Sequence, residues 1–73
     1  MINLDRQRVV SSNIGSIGYD AISKILEVEF LTGAIYHYFG VPEQLYVQLM
    51  SASSHGTFLS QYIKDSYSYA RIL

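Results

Sequence analysis

The sequence predicts an α+β fold, in which a three-stranded antiparallel meander is followed by two helices packed on one face of the sheet. The first half of the chain alternates apolar and polar residues with the period of two that is typical of strands. After Pro42, apolar residues recur at helical spacing instead. A length of 73 residues allows one domain, which we assign to residues 1–73.

Composition excludes several classes of protein. With 49% apolar and 15% charged residues, the chain is too hydrophobic to be disordered. The absence of cysteine excludes a disulfide framework, a thiolate zinc site and thiol catalysis. A net charge of −1 argues against broad, non-specific binding to polyanions, because such binding needs a surplus of Lys and Arg.

Targeting and membrane segments are not predicted. The start of the chain has charges every few residues and lacks the apolar stretch of a signal peptide. The uncharged stretch over residues 31–42 contains two glycines and a proline, and it is far shorter than the ~20 apolar residues that a membrane-spanning helix needs. We therefore expect a soluble, cytoplasmic protein that does not bind a membrane.

Three segments are predicted to be strands. The first, Ser16–Asp20, follows Gly15 and contains Gly18, and these glycines indicate a bulge or a close approach by another segment. Ile25–Leu31 alternates apolar residues with glutamates, so one of its faces should be buried and the other exposed to solvent. Ala34–Phe39 is rich in β-branched and aromatic residues. A turn over residues 20–24 is expected to join the first two strands.

The loop between the second and third strands decides where Tyr36 and Tyr38 point. A two-residue loop of Thr32 and Gly33 would place both tyrosines on the glutamate face, but it needs a positive φ at a β-branched residue. A three-residue loop over 31–33, with Gly33 in the left-handed region, avoids that strain. We therefore predict the second register, which pairs Phe30 with Ala34, Val28 with Tyr36, Leu26 with Tyr38 and Glu27 with His37.

Two helices are predicted in the second half of the chain. Pro42 suits the first position of the first helix, which should end near Ala52. A second helix should run over residues 57–66, with Ser53 or Ser54 as its N-cap, whereas Gly56 would allow close packing between the helices. The tail over residues 67–73 alternates, either as a short edge strand or as an extended end. The buried stripes are predicted to be Leu45, Tyr46, Leu49 and Met50 in the first helix and Phe58, Leu59, Tyr62 and Ile63 in the second.

Residues with catalytic or metal-binding chemistry do not form a convincing set. Ser53, Ser54 and His55 are adjacent, but no carboxylate lies nearby in sequence to orient the imidazole, and helix capping accounts for the serines. His37 and Glu27 are predicted to form a solvent-facing cross-strand pair rather than a metal site. The sequence therefore predicts no catalytic residue, no metal and no cofactor.

Tyrosine is the unusual feature of the composition, with seven copies in the chain. Tyr36 and Tyr38 either fill the interface between sheet and helices, which we favour, or form a platform on which bases stack beside cations. Arg6, Arg8 and Arg71 lie near the two ends of the chain and are candidates to converge into a cationic site. The tyrosines predicted to face the core are Tyr19, Tyr36, Tyr38, Tyr46 and Tyr62, whereas Tyr67 and Tyr69 lie in the tail.

A series of short motifs runs along nearly the whole chain. They are Val10-Ser11-Ser12, Gly18-Tyr19-Asp20, Leu26-x-Val28-x-Phe30, Gly33, Tyr36-x-Tyr38, Val41-Pro42, Ala52-x-Ser54-x-Gly56, Phe58, Ile63-Lys64 and Tyr67-x-Tyr69. Their order resembles the KTSC domain, a small module at the C-terminus of some lysyl-tRNA synthetases that also occurs as a stand-alone bacterial or phage protein. The resemblance covers about residues 9–71. It implies a compact module for which the association with the synthetase suggests RNA binding, and it brings no catalytic residue. The residues that match the pattern and would line a site are Ser11, Ser12, Tyr36, Tyr38, Lys64 and Tyr67.

Two functions are predicted, and neither is enzymatic. The first is an RNA-binding module, tRNA included, in which tyrosines stack on bases and basic residues contact phosphates. The alternative is a protein–protein interaction module, self-associating or open to an added edge strand, which the tyrosine content and the net charge also suit. Cations beside exposed tyrosines would favour RNA, and scattered cations would favour a protein. The residues predicted to bind are Ser11, Ser12, Tyr36, Tyr38, Lys64, Tyr67, Tyr69, Arg71, Arg6 and Arg8.

Overall fold

A computed structural model describes residues 5–73 of the chain. Its strands form one antiparallel sheet, in which each strand pairs with the next along the chain in the order β1-β2-β3-β4-β5. The elements are β1 (Gln7–Arg8), β2 (Ile14–Asp20), β3 (Ile25–Phe30), β4 (Ile35–Phe39), α1 (Glu43–Ser51), α2 (His55–Tyr62) and β5 (Tyr69–Arg71). The predicted α+β fold, a meander followed by two helices, is confirmed.

The hairpin of β3 and β4 has the register that the three-residue loop predicts. Val28 lies opposite Tyr36, and Glu27 lies opposite His37. The amide of Gly33 donates to the carbonyl of Phe30 at 2.9 Å. Gly33 has a φ of 95°, in the left-handed region that glycine adopts without steric cost. The tyrosines of β4 therefore share the face of the sheet on which the helices pack.

Glycines shape β2 in both of the ways that the sequence indicates. The pairing of β2 with β3 shifts between Ile14 and Ser16, so the strand carries a bulge at Gly15. At Gly18, a Cβ atom would come within 3.1 Å of the backbone oxygen of Asp5. The missing side chain thus lets the N-terminal segment lie close to β2 and pair with it as β1. This strand was not predicted, because two residues carry no periodic pattern.

The helices differ from the prediction in four details. Pro42 is the N-cap of α1 rather than its first residue, since its ψ of 148° is extended. Ser54 caps α2 as predicted, but α2 ends at Tyr62 instead of continuing to residue 66, and Tyr62 is 53% exposed rather than buried. Gly56 packs against the side chain of Asn13 and not between the helices. No helix within residues 5–73 has the length and apolarity needed to cross a membrane.

The core lies between the sheet and the two helices. Tyr19 belongs to its edge, because its hydroxyl donates to the carbonyl of Val41 and its ring stacks on Tyr46 with centroids 4.8 Å apart. Tyr19, Tyr36 and Tyr46 pack against the core, as predicted, and Tyr38 is part of it. Its buried members are Ile14, Ile17, Leu26, Val28, Tyr38, Val41, Leu49, Leu59 and Ile63.

The C-terminal tail adds a fifth strand at one edge of the sheet. β5 pairs antiparallel with β4, so that Tyr69 lies opposite Tyr38 and Arg71 lies opposite Tyr36. Of the two alternatives for this tail, the edge strand is therefore correct. The pairing places a third tyrosine and an arginine beside the Tyr-x-Tyr element of β4.

Candidate functional site

A groove of about 650 Å³ opens between the β4–β5 edge of the sheet and α2. Its volume is in the range that bound small ligands occupy. β4 and β5 supply one side of the groove, and α2 with the turn after it supplies the other. We call it the tyrosine groove. Its lining consists of Asn13, Phe30, Thr32, Ala34, Tyr36, Tyr38, Gly56, Leu59, Ser60, Lys64, Asp65, Tyr69 and Arg71.

Three tyrosines form the floor of the tyrosine groove. Alternate residues of a strand share one face, so Tyr36 and Tyr38 point the same way, and strand pairing sets Tyr69 beside them. The ring centroids are 6.3 Å apart for Tyr36 and Tyr38, 5.8 Å for Tyr36 and Tyr69, and 6.0 Å for Tyr38 and Tyr69. Tyr38 is 3% exposed and Tyr69 is 60% exposed. Within this floor, the ring of Tyr38 is therefore buried in the core, whereas the ring of Tyr69 is accessible to a ligand.

The environment of Tyr38 favours the neutral form of its phenol still further than usual. Burial raises the pKa of the Tyr38 phenol, and the neighbouring phenols of Tyr36 and Tyr69 and the carboxylate of Asp65 raise it further. A phenol with a raised pKa stays neutral at physiological pH and keeps its hydrogen. Tyr38 can therefore donate a hydrogen bond to a ligand in the groove.

Two cations and one carboxylate border these rings. Lys64 and Asp65 follow α2, and Arg71 lies on β5. Within residues 5–73 none of the three takes part in an ion pair, although Nε of Arg71 donates to the carbonyl of Leu73 at 3.1 Å. Two positive charges and one negative charge give the groove a formal charge of +1, whereas the whole chain carries −1. Positive charge beside aromatic faces is the arrangement with which proteins bind single-stranded nucleic acids.

Several of the predicted binding residues meet in the tyrosine groove, and others do not. Arg6 and Arg8 lie at the β1 edge of the sheet, and Arg71 lies at the β5 edge. Four strand spacings of about 4.8 Å put roughly 19 Å between those edges. The expectation that the three arginines converge is therefore wrong, because strand order follows chain order and separates the two ends. The predicted residues that line the groove are Tyr36, Tyr38, Lys64, Tyr69 and Arg71.

Ser11, Ser12 and Tyr67 also lie outside the groove lining. The Ser11 hydroxyl accepts hydrogen bonds from the amides of Asn13 at 3.3 Å and Ile14 at 3.2 Å, so it shapes the turn before β2. Ser12 is exposed in the same turn, and Tyr67 is half-buried against the core. Their role in binding stays a prediction that the groove itself does not support.

Asp65 is the one charged residue of the groove lining that was not predicted from the sequence. Its position beside Lys64 in a polar segment is typical of solvated surface charges, and no pattern distinguishes it from them. The signal is three-dimensional, because the end of α2 at Tyr62 brings the next turn to the mouth of the groove.

A polar cluster lies on the opposite face of the sheet. Oε1 of Glu27 is 2.7 Å from Nε2 of His37, and Oε2 of Glu27 accepts a hydrogen bond from Arg6. Nε of Arg6 also donates to the hydroxyl of Ser16 at 2.9 Å, and that hydroxyl donates to Glu29 at 2.7 Å. The side chains of Glu27 and His37 are 8% and 10% exposed. The cross-strand pair is predicted correctly, but the expectation that it faces solvent is wrong.

The carboxylate of Glu27 is held ionised by its partners. Burial alone would raise the pKa of Glu27, but hydrogen bonds from His37 and Arg6, together with their charges, hold that pKa below its ordinary value. Because Arg6 precedes β1 and the two other residues lie on β3 and β4, the cluster ties the N-terminal segment to the sheet.

Histidine, aspartate and glutamate do not cluster into a metal site in the part of the chain that the structure describes, since no three of them could hold one ion. Nδ1 of His55 lies 2.9 Å from the carbonyl oxygen of Leu49, at the end of α1. Ser54 is engaged in capping α2. The adjacent serine and histidine therefore have structural partners of their own.

Residues 10–67 match a family model described as the KTSC domain. The chain belongs to the KTSC domain family. The crystal structure of a KTSC domain protein from Yersinia pestis matches this KTSC domain with a TM-score of 0.93 and 41% identity, over 97% of this chain and 100% of that one. An uncharacterised protein of Stutzerimonas stutzeri is 41% identical over 70 residues, which cover 94% of this chain and 99% of that protein. The family resemblance is thus confirmed.

Two lysine–tRNA ligases contain a segment similar to this KTSC domain. The ligase of Trichormus variabilis is 32% identical over 54 residues, which are 74% of this chain and 10% of the ligase. The ligase of a Nostoc species is 33% identical over 61 residues, which are 84% of this chain and 11% of the ligase. The KTSC domain therefore corresponds to about a tenth of each enzyme, and the similarity does not extend to the rest.

Proposed function

We propose that this KTSC domain is a non-enzymatic binding module that holds single-stranded RNA, including the unpaired parts of tRNA, in the tyrosine groove. The observation that carries the proposal is the presence of three neighbouring tyrosine rings and two cations in one groove. A base stacks on the exposed ring of Tyr69, and Lys64 and Arg71 contact phosphates. The similarity to segments of two lysine–tRNA ligases supports RNA as the polyanion.

The groove limits how tightly it can bind. Stacking contributes ~1–3 kcal/mol per base, and the groove has room and exposed aromatic surface for about one or two nucleotides. Arg6 and Arg8 lie at the far edge of the sheet and add no phosphate contact to it. We therefore expect micromolar rather than nanomolar affinity for a short oligonucleotide, with a shallow dependence on salt.

Tyr69→Ala is expected to weaken binding of a fluorescein-labelled uridine hexamer about tenfold, because it removes the accessible stacking surface. Tyr62→Ala is the matched control, since Tyr62 is 53% exposed on α2 but does not line the groove. Fluorescence anisotropy at low salt measures both affinities. Equal losses in the two variants, or no loss in either, would contradict the assignment of the groove.

The salt dependence of the same titration counts the phosphate contacts. Two contacts predict a slope of about −1.4 for log K against log salt on a single strand, and Lys64→Gln should bring the slope to about −0.7. A slope near −2.8 would mean that Arg6 and Arg8 also bind the strand, against the geometry. Absence of binding to the hexamer and to total tRNA at low salt would end the RNA proposal.

A protein partner at β5 is the second candidate function. β5 is an edge strand, and the residues around it expose apolar surface, with Tyr69 60%, Ile72 48% and Leu73 70% exposed. Edge strands of this kind accept an added strand from another chain. A dimeric mass by light scattering, in a protein that binds no RNA, would favour this candidate.

A further inference from the structure

The carboxylate of Asp65 stands out among the groove residues, because it opposes the binding of phosphate. It lines the same groove as Lys64, Arg71 and the tyrosine rings. It follows Lys64 in the turn after α2, on the side of the groove that faces β4 and β5. A negative charge at that place repels the backbone of a nucleic acid, whereas it attracts a part of the ligand that donates hydrogen bonds.

Among residues 5–73 neither oxygen of Asp65 has a side-chain partner, so both can accept from a ligand. Within residues 5–73 the Asp65 carboxylate forms no ion pair, although Lys64 precedes it in the chain. Asp65 itself is exposed. An ionised carboxylate can accept two parallel N–H bonds in a bidentate arrangement, in which the two donors must lie side by side.

Guanine is the one standard base with two adjacent N–H donors on its Watson–Crick edge, at N1 and N2. Adenine and cytosine each present one amino donor next to a ring acceptor, and uracil presents one imide donor between two acceptors. Unstacked bases in single-stranded RNA are recognised through these edges while their faces stack on aromatic side chains. A carboxylate beside a tyrosine platform therefore matches guanine better than the three other bases.

We propose that the tyrosine groove prefers guanine, whose face stacks on the tyrosines while its N1 and N2 donors bind the carboxylate of Asp65. Lys64 and Arg71 then hold the flanking phosphates. This inference rests on the proposed function, and it adds the identity of the base and the residue that selects it. Asp65 is a specificity residue here, since the stacking and phosphate contacts are available to any base.

The test uses four fluorescein-labelled RNA hexamers, namely hexauridylate and three versions in which one central uracil is replaced by guanine, adenine or cytosine. We expect the guanine hexamer to bind the wild-type protein about tenfold more tightly than the others, as is usual for a bidentate base contact. Asp65→Asn should reduce that preference to less than about twofold, because a carboxamide offers one acceptor and one donor. Binding of hexauridylate by the variant should be unchanged or stronger, which also shows that the variant is folded.

Asp5→Asn is the matched control, since it removes the same charge outside the groove lining. The guanine preference should persist in this variant. Equal binding of all four hexamers by the wild-type protein would overturn the guanine inference while leaving the RNA proposal in place. Binding of none of them would overturn the RNA proposal itself. A guanine preference that survives Asp65→Asn would overturn the role of this residue.

Discussion

Glu27→Ala is expected to destabilise the protein by about 3 kcal/mol, at the low end of the range for removing one partner of a buried ion pair. The variant leaves Arg6 without its carboxylate partner and leaves His37 nearly buried beside an empty space. We choose the low end because the side chain of Arg6 is 30% exposed and can turn toward water. For 73 residues a total stability of about 4–11 kcal/mol is typical, so the loss is a large fraction of it.

Glu29→Ala is the control for this measurement. Glu29 lies on the same face of the same strand, but it is only half-buried and accepts one hydrogen bond, from Ser16. Its removal should cost about 1 kcal/mol. Urea denaturation followed by circular dichroism compares the two variants at pH 7. A cost for Glu27→Ala no larger than that for Glu29→Ala would show that the Arg6–Glu27–His37 cluster does not stabilise the fold.

The pH dependence of stability tests the same cluster independently. The pKa of Glu27 is lowered in the folded protein from its ordinary value of 4.5. A group with a depressed folded pKa stabilises the protein fully above its unfolded pKa, and this contribution is lost as the pH falls through the folded pKa. The difference in unfolding free energy between wild type and Glu27→Gln should therefore shrink as the pH falls below about 4.5. If the difference in unfolding free energy instead grew as the pH fell, the pKa of Glu27 would be raised rather than lowered by folding.

Local chemistry made the hairpin predictable from sequence. A two-residue loop would need a positive φ at Thr32, which a β-branched residue disfavours, whereas a three-residue loop needs a positive φ only at Gly33. The register of the hairpin therefore depends only on residues of the loop itself. This register places Tyr36 and Tyr38 on the face of the sheet that packs against the helices. The contribution of β4 to the candidate site is therefore predictable from the steric preference of the loop residues. The Ser54 cap was predictable for the same reason, because capping involves residues within one turn.

Long-range contacts decided what could not be predicted. The alternating pattern of β3 predicts that Glu27 faces solvent. Glu27 and His37 are buried instead, because Arg6, which is 21 positions before Glu27, packs beside them. The exposure of Tyr62 depends on where α2 ends. Ile63, the next residue, is the C-cap of α2 with a φ of −120°, and its side chain is fully buried. The groove itself required β5 to pair with β4, which brings Tyr69 and Arg71 to a site that the sequence presents as a tail.

Tyr38→Ala is expected to destabilise the protein by about 3–5 kcal/mol, as large-to-small changes of buried aromatic residues do. Tyr38 is 3% exposed and belongs to the core as well as to the tyrosine groove. Tyr38→Phe should change stability by less than about 1 kcal/mol, because the ring is kept and the hydroxyl is not a buried group that the fold leaves without a partner. Thermal denaturation of both variants measures the difference. A marked loss in Tyr38→Phe would mean that the hydroxyl serves the fold and not a ligand.

Tyr19→Phe is the control that separates a structural hydroxyl from a free one. The Tyr19 hydroxyl donates to the carbonyl of Val41, which is buried, so its removal leaves that acceptor unsatisfied and should cost about 1–2 kcal/mol. If Tyr38→Phe keeps its stability but loses affinity for RNA, the hydroxyl acts on the ligand. A loss of affinity in Tyr38→Ala would not show that the hydroxyl binds the ligand, because the ring belongs to the core as well as to the floor of the groove. Binding at this site is therefore better tested at Tyr69, Lys64 and Asp65, which line the groove without filling the core.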